Sequence, residues 1–422
     1  MPRPLVLFIY NVLLPVFFIV AFPAWLLKMW KRGGYGSGLL QRFARYREAA
    51  SDEPKQVVYV HAVSVGEVLI ALKLIDTWLR MHPDERFVLA ATTATGHEVA
   101  REKAPGQVRV IYSPIDFGFL VRAVFRRFSP SQVVLIESEA WPNLLNVARL
   151  NKVPVSMVNA RLSRRSEQRF RKFSAMTLPL FEMVGRFCVQ NDEDAGRFRS
   201  LGIEEEKITL TGSIKFDPAG GAVPRAREEF QEMLDGFGPG RRVVMIASTH
   251  PGEERALAET CKRCREDFLL VVVPRHAERR AEVKAELESL GLEVVLRSAF
   301  VPPGQSACLV VDSTGELRDW TAHADVMVIG KSWLGEGGQN PAEAIVAGVP
   351  VVCGPHMGNF EPLISMLRES GGVEMLSGLE ELAGTVDELL VDVERRQRMV
   401  ENARKVLSIH DHAVERTVRC LR

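Results

Sequence analysis

From Lys55 onward the chain alternates short apolar runs with longer segments of helical periodicity, and it does so in two successive series. The first comprises Val57–Val60, Phe87–Ala91, Val108–Tyr112, Val133–Ile136, Val155–Val158 and Phe187–Val189. The second begins near Arg242 with Val243–Ala247 and continues through Phe268–Val273, Glu293–Leu296, Leu309–Val311, Val326–Ile329 and Val351–Cys353. Unbroken apolar runs are what strands buried on both faces require, and intervening helices are how parallel neighbours are connected. The pattern predicts an α/β chain of two doubly wound, Rossmann-like halves facing a cleft. At 422 residues the chain exceeds one ordinary core, in agreement with two domains. The turn-rich stretch from Thr211 to Pro224 separates the series. The expected organisation is an N-terminal anchor over residues 1–35, one domain over 36–215 and a second over 216–395. A final helix, 396–422, is expected to pack back toward the first domain.

The N-terminus has its own chemistry. Pro4 to Leu27 is apolar apart from Asn11, Pro15 and Pro23, and at about 1.5 Å per residue a helix of this length spans a hydrocarbon core of about 30 Å. The first fifty residues hold seven basic side chains against Glu48 alone, so the basic end is also the greasy end. Lys28, Lys31 and Arg32 follow the apolar stretch, which by the positive-inside rule puts the globular part on the cytoplasmic side. Phe22-Pro23-Ala24 is a poor signal-peptidase site, so a cleaved signal is disfavoured. A helix lying in the membrane interface is the open alternative, because two prolines weaken a straight span. The six cysteines are scattered through apolar or helical stretches, as reduced thiols of a cytosolic compartment would be.

Several turns that follow apolar runs are polar and glycine-bearing. No G-x-G-x-x-G follows the first run, and Gly330-Lys331-Ser332 lacks the earlier glycine of a phosphate-binding loop, so neither a nicotinamide nor a P-loop site is expected. Instead Val60 leads into His61-Ala-Val-Ser64-Val-Gly66-Glu67, where Ser64 and Glu67 have the spacing of a helix capping box. The same glutamate sits where open α/β sheets bind ligands, and spacing alone does not separate the two roles. Glu137-Ser138-Glu139 ends another run, and strand periodicity would put both carboxylates on one face. Asn159-Ala-Arg161 closes the next. Beyond it, Arg164, Arg165, Arg169, Arg171 and Lys172 interleave with Phe170 and Phe173, as a surface for acidic head groups or simply as a solvated face.

In the second half, Ser248-Thr249-His250 and Pro274-Arg275-His276 each follow a run and open a helix, a placement suited to a phosphate. Gly337-Gly338-Gln339-Asn340-Pro341-Ala342-Glu343 reads as a glycine loop, an Asn cap, Pro at the first helical position and a glutamate able to accept from ribose hydroxyls. Gly354 to Phe360, with Asn359, ends the next run in similar style. His410 and His412 near the C-terminus are expected to be solvated.

Taken in order, the N-terminal anchor, His61–Glu67, Glu137–Leu145, Asn159–Ser166, Gln190–Gly202, Thr211–Asp217, Ala247–Glu254, Pro274–Arg279, Gly337–Glu343 and Gly354–Phe360 resemble the 3-deoxy-D-manno-octulosonic acid (Kdo) transferases of lipid A biosynthesis. Ser138, Ala140 and Gln339 depart from that family's usual residues. The resemblance implies the GT-B fold, CMP-Kdo as donor, a lipid A precursor as acceptor and Glu67 as general base of an inverting transfer. It implies Ser64, Gly66, Glu139 and Arg161 on the acceptor side. On the donor side it implies Ser248, Thr249, His250, Pro274, Arg275, His276, Gly337, Gly338, Asn340, Glu343 and Asn359. Arg275 is assigned to the phosphate and Glu343 to the ribose. It further implies location at the inner membrane, with no metal, no cofactor and no nucleic acid. The rivals are a sugar-nucleotide epimerase or hydrolase on the same scaffold, which would need no lipid acceptor, and a non-catalytic binding protein.

Overall fold

A computed structural model describes residues 1–32, 37–46, 55–217, 224–301 and 307–422. The glycine break at 33–36, Arg47 and Glu48, and residues 218–223 of the turn-rich stretch lie outside them. The chain forms two compact units, residues 1–220 together with 410–422, and residues 221–409.

In the first unit β1 (Val58–Ala62), β2 (Phe87–Ala91), β3 (Val108–Tyr112), β4 (Gln132–Ile136), β5 (Val155–Ala160), β6 (Arg186–Val189) and β7 (Ile208–Leu210) form one parallel sheet in the order β3-β2-β1-β4-β5-β6-β7. The second unit holds β8 (Val243–Thr249), β9 (Leu269–Pro274), β10 (Glu293–Leu296), β11 (Ala307–Val310), β12 (Val326–Ile329), β13 (Val351–Cys353) and β14 (Glu374–Met375). These are again parallel, in the order β10-β11-β9-β8-β12-β13-β14. The first order reverses between β1 and β4 and the second between β8 and β12, with β10 and β11 exchanged at the second sheet's edge. The loops leaving those strand pairs diverge to opposite sides and open a crevice at the carboxyl edge of each sheet.

Core formation follows the pleat. On the first sheet Val58, Val60 and Ala62 of β1 face one side and Tyr59 the other, and each side has its own buried cluster. Helix Val65–Met81 buries Val68, Ala71, Leu72, Ile75, Trp78 and Leu79, a three-four spacing that puts one stripe on the sheet. The second unit encloses a comparable core around Val244, Ile246, Leu257, Val272, Val328 and Leu389.

Four features depart from the sequence reading. The N-terminal helix runs unbroken from Arg3 to Arg32 through Pro15 and Pro23. Strands β7 and β14 were missed because they are short edge strands with partly exposed residues and no long apolar run. Helix Val393–Leu407 stays with the second unit, so the returning segment is shorter than 396–422. It is helix Ala413–Cys420, whose Val414 and Val418 join the core of the first sheet together with Leu421. His410 is not solvated. It is 4% exposed, its Nδ1 accepts from the Ser213 amide at 3.1 Å, and burial pushes its imidazole down to about 4.

Candidate functional site

Each sheet gathers polar residues at its reversal point. In the first unit Ser64 caps helix Val65–Met81, its Oγ accepting from the Glu67 amide at 3.3 Å. The Glu67 carboxylate returns the interaction, accepting from the Val63 amide at 2.8 Å, the Ser64 amide at 3.3 Å and the Ser64 hydroxyl at 2.9 Å. Both sequence-level roles are therefore compatible, since the same capping box fixes the glutamate at the carboxyl end of β1. Glu67 is 8% exposed. Three of about four carboxylate lone-pair positions are occupied, which leaves room for one further donor.

Across the reversal, β4 ends differently from the period-two expectation. Glu137 takes a left-handed φ of 59°, so the pleat stops at Ile136 and the residue turns instead of extending. Glu137 and Glu139 nevertheless share surroundings with Glu67. Burial pushes the Glu137 carboxyl up, Arg161 opposes that shift, and the charge of Glu67 adds to it. Burial raises Glu139 as well, followed by the charges of Glu67 and Glu137. Lys215 is pulled below its ordinary range by burial and by Arg161, with Glu137 acting against them. Three carboxylates and two cations therefore converge at this edge. Gly66 sits in the first turn of the helix with its backbone uncrowded.

Residues outside the expected site residues hold this edge in shape. Asn159 has φ 52° at a bulge in β5, and its Oδ1 accepts from the Ile214 amide at 2.9 Å. The Lys73 ammonium donates to the carbonyls of Ile214 and Asp217 at 3.0 and 2.8 Å. Together they fix the loop that carries Lys215. His61 Nε2 and Asn159 Nδ2 are buried here with no hydrogen-bond partner among the described residues. A buried unpaired nitrogen in a polar edge marks a place where a ligand or water completes the set.

The second unit repeats the device. Ser248 has φ 58° at a bulge in β8, and Lys331, directly after β12 and Gly330, has φ 56°. Left-handed non-glycine residues cost about 1–3 kcal/mol each and cluster at functional sites. Between them lies the buried Glu253, whose carboxylate accepts from the amides of His250 (3.0 Å), Lys331 (2.6 Å), Trp333 (3.2 Å) and Leu334 (3.3 Å). One carboxylate thus ties the loop after β8 to the loop after β12. His250 is pulled below its ordinary range by burial, then by Lys331, and also by His276 and Arg275. Four basic side chains from three loops are therefore close enough to repel, an arrangement that favours an anion. In the sequence Lys331 reads only as part of an incomplete P-loop; its placement comes from β12 lying beside β8.

The other expected residues divide in two. Arg275 and His276 are exposed just after β9, and Gln339 Nε2 lies 3.3 Å from His250 Nε2. The Thr249 hydroxyl is committed to Glu254 at 2.9 Å, and Glu254 in turn to Arg279, so Thr249 serves the scaffold. Pro274 is buried as the last residue of β9, and Ser248 is 7% exposed. Asn340 Oδ1 accepts from the Ala342 amide at 3.1 Å as the start of a helix that begins at Ala342, one residue later than read, with partly buried Glu343 in its first turn. The loop between β12 and that helix needs its glycines. A Cβ on Gly337 (φ 106°) would come within 2.3 Å of Asn359 Nδ2, and one on Gly338 (φ 72°) within 2.3 Å of Met357 Sδ. Gly338→Ala is expected to destabilise the second unit by about 1–3 kcal/mol, read as a lowered urea midpoint. Gly358→Ala, where the added carbon meets open space, should leave the midpoint in place.

Comparison with known proteins gives consistent relatives. Residues 37–218 match the model of the 3-deoxy-D-manno-octulosonic-acid transferase (kdotransferase) family. The chain is 30% identical to the 3-deoxy-D-manno-octulosonic acid transferase of Haemophilus influenzae, over 92% of this chain and 91% of that one. It is 32% identical to the enzyme of the same name from Bordetella pertussis, over 93% and 94%. Among solved structures, the UDP-GlcNAc 2-epimerase from Neisseria meningitidis is similar with a TM-score of 0.57 at 14% identity, covering 86% of this chain and 99% of that chain. A glycosyltransferase from Rickettsia africae gives 0.55 at 10% identity, covering 87% and 97%. At such identities the structural likeness speaks to the fold alone, which is of the GT-B type.

Proposed function

This chain belongs to the 3-deoxy-D-manno-octulosonic acid transferase family of glycosyltransferases, and on that premise we propose that it moves Kdo from CMP-Kdo to a hydroxyl of a lipid A precursor, with inversion, at a cytoplasmic membrane face. The observation that carries the reading is the convergence of Glu67, Glu137 and Glu139 at the reversal point of the first sheet.

The chemistry divides between the units. Glu67, held by its capping box, takes the proton of the acceptor hydroxyl on its remaining lone pair as that oxygen attacks the anomeric carbon. Arg161 and Lys215 balance the carboxylates and offer positive charge to an acidic sugar or a phosphorylated acceptor. Glu139 lines the same edge. In the second unit Arg275 and His276, with His250, Lys331 and the Gly337–Gly338 loop, receive the CMP phosphate, and Asn340, Glu343 and Asn359 flank the nucleoside. Charge already held at the donor phosphate stabilises CMP as it leaves. The N-terminal helix brings the enzyme to its lipid acceptor; by length and composition Arg3–Ala24 suffices to cross a bilayer.

Incubation with CMP-Kdo, with and without a phosphorylated, acylated glucosamine disaccharide, tests this. CMP release that requires the acceptor, with a matching gain of one Kdo mass or more on the lipid, is the expected result. Release without acceptor would make the chain a hydrolase, and no release in either arm would end the proposal.

A further inference from the structure

The N-terminal helix is latched to the first unit from Arg3 to Phe18. Arg3 Nε donates to the Pro179 carbonyl at 3.2 Å, and its guanidinium pairs with Glu182 at 3.5 Å. Tyr10 donates its hydroxyl to Asp116 Oδ2 at 3.0 Å. Asn11 and Asn143 exchange amide hydrogen bonds at 3.2 and 2.8 Å. Phe18 packs edge-on against Phe117 at 5.7 Å and Phe43 at 6.4 Å. These positions are spaced seven, one and seven residues apart, so they form one side of a helix. From Arg3 to Phe18 they cover about 22 Å at about 1.5 Å per residue.

The receiving side is built for the contact. Asp116 is 3% exposed and also accepts from the amides of Asn143 and Leu144, both at 2.9 Å. Asn143 Nδ2 donates to the Asp116 carbonyl at 2.6 Å as well as to Asn11. The opposite side of the helix is apolar and bare. Leu5, Phe8, Val12, Leu13, Val16, Phe17, Ile19 and Val20 are between 45% and 75% exposed.

A helix that crossed the bilayer would carry residues 3–18 through hydrocarbon. Its latch partners would have to follow, among them the half-exposed, ion-paired Glu182 and the polar loop of Asp116, at a high desolvation cost. Resting on the anchor reading above, we propose that this helix does not cross the membrane: it lies in the plane of one phospholipid leaflet, its latched side on the enzyme and its bare side in the acyl chains. A second surface fits the same leaflet. Helix Ser174–Phe181, which contributes Pro179 to the latch, follows helix Arg164–Lys172, which has no buried residue. There Arg164, Arg165, Arg169, Arg171 and Lys172 are exposed beside Phe173, suited to anionic head groups at the depth of an interfacial helix.

The test places single reporter cysteines at Pro2 and at exposed Glu206 of the full chain, expressed in a bacterial inner membrane. Inverted and right-side-out vesicles are labelled with a membrane-impermeant maleimide, and the modified peptides are identified by mass. The proposal expects Pro2→Cys and Glu206→Cys to label in inverted vesicles only, with the protein remaining in the membrane fraction. Labelling of Pro2→Cys in right-side-out vesicles overturns the in-plane helix but leaves the anchor intact. Protein recovered in the soluble fraction overturns both.

Discussion

Replacing Glu67 with glutamine is expected to lower kcat by about 10²–10⁴-fold while leaving CMP affinity nearly unchanged. Glutamine preserves the shape and, at the third helical position, can still accept from the Ser64 amide as capping boxes allow. What it cannot do is accept a proton from the acceptor hydroxyl. The nucleotide is assigned to the other unit, so CMP binding by calorimetry should not follow the loss of turnover. The control is Ser64→Ala, which removes one member of the capping box and should cost about 1 kcal/mol of stability with a far smaller effect on rate. A Glu67→Gln enzyme that turns over normally removes this residue from the chemistry.

Acid should dismantle the first unit before the second. Burial pushes His61, His97 and His410 down to about 4 from an ordinary value near 6.5. Between those limits the unfolded chain binds protons that the folded chain refuses, so stability falls as the pH drops through that window. Each imidazole contributes up to about 3 kcal/mol to the loss at about 1.36 kcal/mol per pH unit. Asp116 acts in the opposite sense. Burial raises it to about 7, three hydrogen bonds oppose the shift, and the folded state holds a proton that the unfolded chain releases near 3.8. It therefore adds stability as the pH falls from 7 toward 3.8. The three losses outweigh the gain from Asp116, and the raised Glu137 and Glu139 carboxyls trim the decline in the same sense. All these groups belong to the first unit. Urea unfolding followed by pulse proteolysis, with fragments assigned to each unit, should show the first unit's midpoint dropping between pH 7 and pH 5. Asp116→Asn should steepen that drop. A midpoint of the first unit that stays constant across this range would sink the expectation.

What could be read beforehand depended on how local its cause was. The strand runs and the Ser64–Glu67 cap were legible because apolar periodicity and capping are written within a few residues. The inner strands were found, while β7 and β14 were not, since an edge strand of two or three half-covered residues has no apolar run to show. Glu137 was misread as the next pleat position because nothing in Ile-Glu-Ser-Glu announces a left-handed turn. His410 reads as solvated because its partner, Ser213, lies 197 residues away. Lys331 was discarded for lacking a phosphate-loop motif; its place beside His250 comes from β12 pairing with β8, which no local pattern encodes. The clearest omission is at the N-terminus, where Asn11 reads as a break in an apolar helix and Tyr10 draws no notice, yet both are attachment points.

The path of the chain also bears on how the enzyme is made. The half that leaves the ribosome first lacks its closing piece until the whole second unit has been made, because Val414, Val418 and Leu421 belong to its core and follow residues 221–409. A nascent chain can complete the later half earlier than the one synthesised before it. Chains cut short between the second unit and Val414 would therefore carry an intact second unit and an unsealed first one, the kind of partly bare surface that chaperones and proteases recognise.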